Sequence, residues 1–117
     1  MIKVITLALL LPAAAMADAP VIEKVTATAQ GNAWRFDVTI SHGDTGWEDY
    51  ADGWRVLDMD GKELGLRTLF HPHVNEQPFT RSLGGVTIPD GTTQVQIEAR
   101  DLKGGWSGTP ITFDLPN

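Results

Sequence analysis

Cysteine is absent from all 117 residues of this chain. That excludes disulfides, thiolate metal sites, thiol nucleophiles and dithiol redox exchange together. Long apolar runs are nearly absent too. Val4 to Leu11 is continuous apart from Thr6, and that run is too short to span a bilayer. No later segment approaches the ~18 apolar residues of a membrane-spanning helix, so no transmembrane segment is expected after the leader described below. Sustained helical periodicity is missing after residue 17. Positive charge is scarce, with 9 Lys and Arg against 15 Asp and Glu. An acidic surface disfavours nucleic acid and anionic membranes, and suits cations or basic protein partners.

What is present begins with a leader. Met1-Ile-Lys3 is a short positive start, the apolar run follows, Pro12 interrupts it, and Ala15-Met-Ala17 offers the small-x-small pattern of a signal-peptidase site. Residues 1–17 are therefore expected to be a cleaved signal peptide, with Asp18 the first residue of a periplasmic or secreted chain. No cysteine follows the run, so attachment of a lipid through that residue is excluded. Removing 17 of 117 residues leaves 100, enough for one domain with a modest core. Loss of Lys3 leaves 8 basic residues against 15 acidic ones, a net charge of −7.

Residues 18–117 read as strands. Trp34, Phe36, Val38 and Ile40 alternate with Arg35, Asp37, Thr39 and Ser41, the period of a strand with one buried face. Val95, Ile97 and Ala99 alternate in the same way, as do Ile111, Phe113 and Leu115. Further strands are expected over Val21–Ala29, Trp54–Asp58, Glu63–Phe70 and Phe79–Ile88, the last interrupted by Gly84-Gly85 at a bulge or sheet edge. Turn signals at Gln30–Asn32, Asp60–Gly61 and Pro89–Gly91 separate them. The pattern predicts an all-β domain over residues 18–117, a single seven-stranded antiparallel sandwich. Its inward set is Trp34, Phe36, Val38, Ile40, Val95, Ile97, Ile111 and Phe113. In architecture it resembles immunoglobulin and fibronectin type III domains. Trp54 can fill the place of their core tryptophan, although the paired cysteines of antibody domains are missing; a closed barrel is the main alternative.

In an up-and-down alternation the connections Ser41–Gly53, His71–Pro78 and Asp101–Gly108 emerge at one end. They are the longest connections and the richest in chemistry, and function concentrates on loops held by a rigid scaffold. All three histidines, His42, His71 and His73, lie there. In His71-Pro-His73 an extended backbone directs both imidazoles to one side. His42 can approach from the neighbouring loop, with Asp44, Glu76 or Asp101 as a further group. Nitrogen and oxygen donors without sulfur suit one Zn²⁺ or Cu²⁺ ion. The carboxylates Asp44, Glu48, Asp49 and Asp52 raise calcium as a separate case, though their spacing does not match an EF-hand loop.

Trp47, Tyr50 and Trp106 support the competing expectation, a metal-free surface recognising a glycan or a protein. An enzyme is not expected. Ser107 in Gly-Gly-Trp-Ser-Gly lacks the strand–turn–helix context of a nucleophile elbow, and a sandwich of this size rarely encloses a substrate. One local resemblance carries a partner expectation. Ile40-Ser-His-x-x-Thr-Gly46 is similar to a strand-to-loop segment in the Z subunit of the periplasmic sulfur-oxidation carrier complex. Over those seven residues it implies an exported binding or carrier-partner module with no catalytic residue, and the Trp- and Asp-rich continuation departs from it.

Overall fold

Alternation in β2 (Ala33–Ser41) decides the inside of the molecule: Phe36, Val38 and Ile40 are buried, while Arg35, Asp37 and Thr39 point outward. The computed structural model describes residues 18–117, so the proposed leader lies outside the described residues. β1 (Val21–Gln30), β2 and β5 (Phe79–Val86) form a three-stranded sheet in the order β1-β2-β5. The second sheet contains β3 (Ala51–Leu57), β4 (Glu63–Thr68), β6 (Gln94–Asp101), β7 (Gly105–Trp106) and β8 (Ile111–Asp114). Its order is β4-β3-β6-β7, with β8 also pairing β6. All pairings are antiparallel.

The two sheets share one core. Phe36, Val38 and Ile40 of β2 pack with Trp54 and Val56 of β3, Phe79 and Val86 of β5, and Val95, Ile97 and Ala99 of β6. Trp54 is fully buried, as its place at the core requires. Trp34 is half-buried at the margin, and Phe113 meets Phe36 edge-on with ring centroids 6.3 Å apart. The expected inward set fails at Ile111, which is 38% exposed. β8 is a short outer strand, and among the described residues no further strand covers that position. Gly84-Gly85 does mark an edge. Among the described residues β5 pairs only β2, Gly85 has φ +68°, and the register shifts between Trp34 and Phe36.

An eighth strand separates the structure from the seven-strand expectation. Gly104-Gly105 turns the chain back so that Trp106 pairs Arg100 and Gly105 pairs Asp101. The expected open loop Asp101–Gly108 is therefore a tight hairpin with a short continuation. Of the other two connections, the first shortens because β3 starts at Ala51, and the second lengthens because β4 stops at Thr68. All three nevertheless meet at one end. Gln77 Oε1 accepts from His42 N at 3.0 Å, and Asp44 Oδ2 from His73 N at 2.8 Å. Tyr50 O accepts from Leu102 N at 3.0 Å.

Candidate metal centre at the loop end

Asp44 organises this end. Its Oδ1 accepts from Ala51 N at 3.0 Å and from His42 Nδ1 at 2.6 Å, and its Oδ2 accepts from His73 N. One carboxylate thus ties the start of β3 to both long loops, with its side chain wholly out of solvent. Both of its oxygens are committed to donors. His42 is held just as firmly, its imidazole 1% exposed and its Nδ1 fixed by Asp44.

The other face of that imidazole meets two more carboxylates. Asp101 Oδ2 lies 3.2 Å from His42 Nε2, and Asp49 Oδ1 lies 3.9 Å from it. Asp101 ends β6, and its remaining oxygen accepts from Gly104 N. A Cβ at residue 104 would sit 3.0 Å from that oxygen, so glycine permits the close approach. Asp49 is delivered by a tight turn, in which Thr45 N donates to Asp49 O at 2.9 Å and Asp49 N to Gly46 O at 3.2 Å. Its Oδ1 is buried without a hydrogen-bond partner. One donor atom from each of His42, Asp49 and Asp101 lies within 4.8 Å of the others, close enough to be shared by one ion.

An imidazole with a carboxylate at each nitrogen satisfies both in two ways. Either both nitrogens carry protons, or Nδ1 keeps its proton and Nε2 faces a cation. The second is the carboxylate–histidine–metal relay, in which an outer carboxylate fixes the tautomer and turns the free nitrogen to the ion.

The expected three-histidine site does not form. Among the described residues, the one group of metal-ligating type that closes on a point is His42, Asp49 and Asp101. His73 is buried and stacks on Phe79 with centroids 4.1 Å apart, and its Nε2 accepts from Arg81 Nη2 at 2.7 Å. Guanidinium only donates, so the proton of His73 sits on Nδ1. Burial, then the Arg81 charge, then His71 hold His73 below its ordinary value of 6.5. His71 is exposed and meets His73 edge-on at 5.0 Å. Glu76 is largely exposed and pairs with Arg81 at 3.5 Å. Asp44 belongs to the site, but behind His42 rather than toward an ion. Asp49 was legible only as one acid of the carboxylate-rich loop, since no spacing rule links it to His42 and Asp101.

The aromatic expectation splits as well. Trp47 is 67% exposed at the tip of the Gly46–Asp49 turn and meets Tyr50 edge-on with centroids 5.9 Å apart. Trp106 is elsewhere. It lies on β7 with the Arg55 guanidinium 3.9 Å and the Arg100 guanidinium 5.2 Å from its ring centroid. Those arginines are fixed by Glu98 at 2.6 Å and Asp52 at 3.0 Å. Trp106 therefore belongs to a sheet-face ladder rather than to a loop platform.

The chain is 38% identical over 97 residues to a protein of Halomicrobium mukohataei carrying the name "Putative lipoprotein". The match takes in 83% of this chain and 47% of that protein, so the chain spans about half the length of the relative it matches. No protein-family model matches the chain. No solved structure matches it. No helix among the described residues is long and apolar enough to cross a membrane.

Proposed function

We propose that this chain is an exported binding protein that holds one divalent transition-metal ion between His42 Nε2, Asp49 Oδ1 and Asp101 Oδ2. Asp44 fixes the imidazole from behind. One observation carries the reading: a buried imidazole fixed at Nδ1 turns Nε2 toward two carboxylate oxygens, one of them buried without a partner. Two carboxylates offset the charge of a dication, and a donor set of one nitrogen and two oxygens suits Zn²⁺. Cu²⁺ binds nitrogen and oxygen sites more tightly in general, yet favours tetragonal sets with more nitrogen than one imidazole supplies. Ca²⁺ wants six to eight oxygens. We assign the chain no catalytic residue.

Export is supported by the signal-like leader and by the name of the Halomicrobium mukohataei relative, with the periplasm or the exterior as destination. The β1-β2-β5 and β4-β3-β6 strand orders support the immunoglobulin or fibronectin type III reading of the sandwich. The metal-free alternative keeps exposed Trp47 and half-buried Tyr50 for a glycan or protein partner, and loses Trp106 to the ladder.

Thermal unfolding after chelator treatment tests the metal. Zn²⁺ should raise the melting temperature, bind one ion per chain, and do neither in Asp49→Asn. Indifference of the wild-type protein to Zn²⁺ and Cu²⁺ would make His42 a structural clamp between carboxylates and end the metal reading.

A further inference from the structure

We propose that a second copy of this chain completes the metal centre, each protomer donating His71 to the other's His42–Asp49–Asp101 set. The inference rests on the metal reading above. Zn²⁺ in a closed site takes four ligands, and the chain brings three together. Asp44 cannot be the fourth, because both its oxygens are occupied by donors. The side chains of His42 and Asp101 are 1% and 2% exposed, whereas Asp49 is 15% exposed. The open coordination position therefore faces outward past Asp49.

Charge selects the incoming donor. Asp49 and Asp101 already neutralise a dication, Asp44 adds a further negative charge behind His42, and the chain as a whole is acidic. Another carboxylate would add uncompensated charge, whereas a neutral imidazole adds none. His71 is an exposed imidazole at this end of the molecule, and it lies outside its own chain's ligand group. A two-fold axis pairs one patch with itself, so a site and a donor on the same patch satisfy each other in both directions at once. The same loops carry apolar side chains that such a contact would cover: Phe70 at 72%, Trp47 at 67%, Val74 at 49% and Leu102 at 45% exposure. An apolar rim of this kind around a polar centre is the usual form of a protein–protein surface.

Sedimentation of the purified protein with Zn²⁺ or with chelator tests this, with Co²⁺ absorption reporting ligand number. The wild-type protein should be a monomer in chelator and a dimer in Zn²⁺, with the intense visible band of four-coordinate cobalt. His71→Ala, at an exposed position, should still bind one ion per chain but remain a monomer with a weaker band. Mixing His71→Ala with Asp49→Asn should restore a zinc-dependent dimer, since one keeps the site and the other the donor. Zinc binding without dimerisation would overturn the shared site and leave the single-chain metal reading standing. Dimerisation that persists in His71→Ala, or in chelator, would overturn it equally. Failure of the wild-type protein to bind zinc would remove both.

Discussion

The two ends of this sandwich are built by different means. At one end, Asp58 Oδ1 accepts from Asp60 N and Lys62 N at 2.9 and 2.8 Å, and Gly61 turns the chain at φ +87°. Each of these contacts joins residues two to four positions apart, in solvent. At the other end, Asp44 and His42 reach Ala51, His73, Gln77 and Asp101, up to 59 residues away, and the bonded carboxylates are out of water. A turn satisfied locally can be lost without disturbing the rest. A buried charge shared by three segments cannot, because each donor it leaves behind is stranded in a low-dielectric interior.

The largest expected effects test that contrast against the core. Phe36→Ala should cost ~3–5 kcal/mol of unfolding free energy by urea titration, as for any large aromatic removed from a packed interior. Thr39→Ala, on the outer face, should change little. Asp44→Ala should fall close to Phe36→Ala, about 3–5 kcal/mol, since one change leaves three donors unpaired, one on a buried imidazole. Asp58→Ala should cost roughly 1 kcal/mol, because water replaces its partners. Equal costs at Asp44 and Asp58 would erase the distinction between the ends.

Metal gives the next effect. At Zn²⁺ a hundredfold above its dissociation constant, an ion that binds only the folded chain adds about 2.7 kcal/mol. The gain should fade on acidification, because protons compete with the ion for its ligand atoms. His73→Gln should keep the gain and Asp49→Asn should lose it. The reverse pattern would return the site to His71-Pro-His73.

A smaller effect comes from His73 in chelator. Burial, then the Arg81 charge, hold its folded value below the ordinary 6.5, so the unfolded chain binds the proton more readily. Stability is therefore full above about pH 6.5 and declines as pH falls from there through the lowered folded value. Urea midpoints across that range should slope for the wild-type protein and flatten for His73→Gln; identical slopes would mean that His73 is not held neutral by its surroundings. The smallest expected effect is Trp47→Ala, within about 0.5 kcal/mol in the metal-free monomer. A large loss there would make the exposed tip part of the loop anchor.

Legibility in the sequence followed the range of the interactions. Period-two alternation in β2 and β6 made Phe36, Val38, Ile40, Val95 and Ile97 readable as core, and Gly84-Gly85 readable as an edge. Ile111 alternated just as well and is exposed, because alternation reports which face a side chain takes and not whether another strand covers it. The hairpin at Gly104-Gly105 was missed: two residues of β7 are too few to show a period, and their pairing is set by β6. His42 and Asp101 were readable as candidates from their place at one end. The choice of Asp49 over His71 and His73 was not.

Composition and local pattern alone determined that this chain has no thiol chemistry, no helical period after residue 17, strands with defined inner faces, and three chemically rich connections at one end. Those properties depend on residues a few positions apart, so the sequence states them directly. Only the tertiary structure decided which polar groups at that end meet. Asp44 closes on His42 while His73 turns away to Arg81 and Phe79, because burial favours polar groups that find partners across the loops, and the sheets set which partners are within reach.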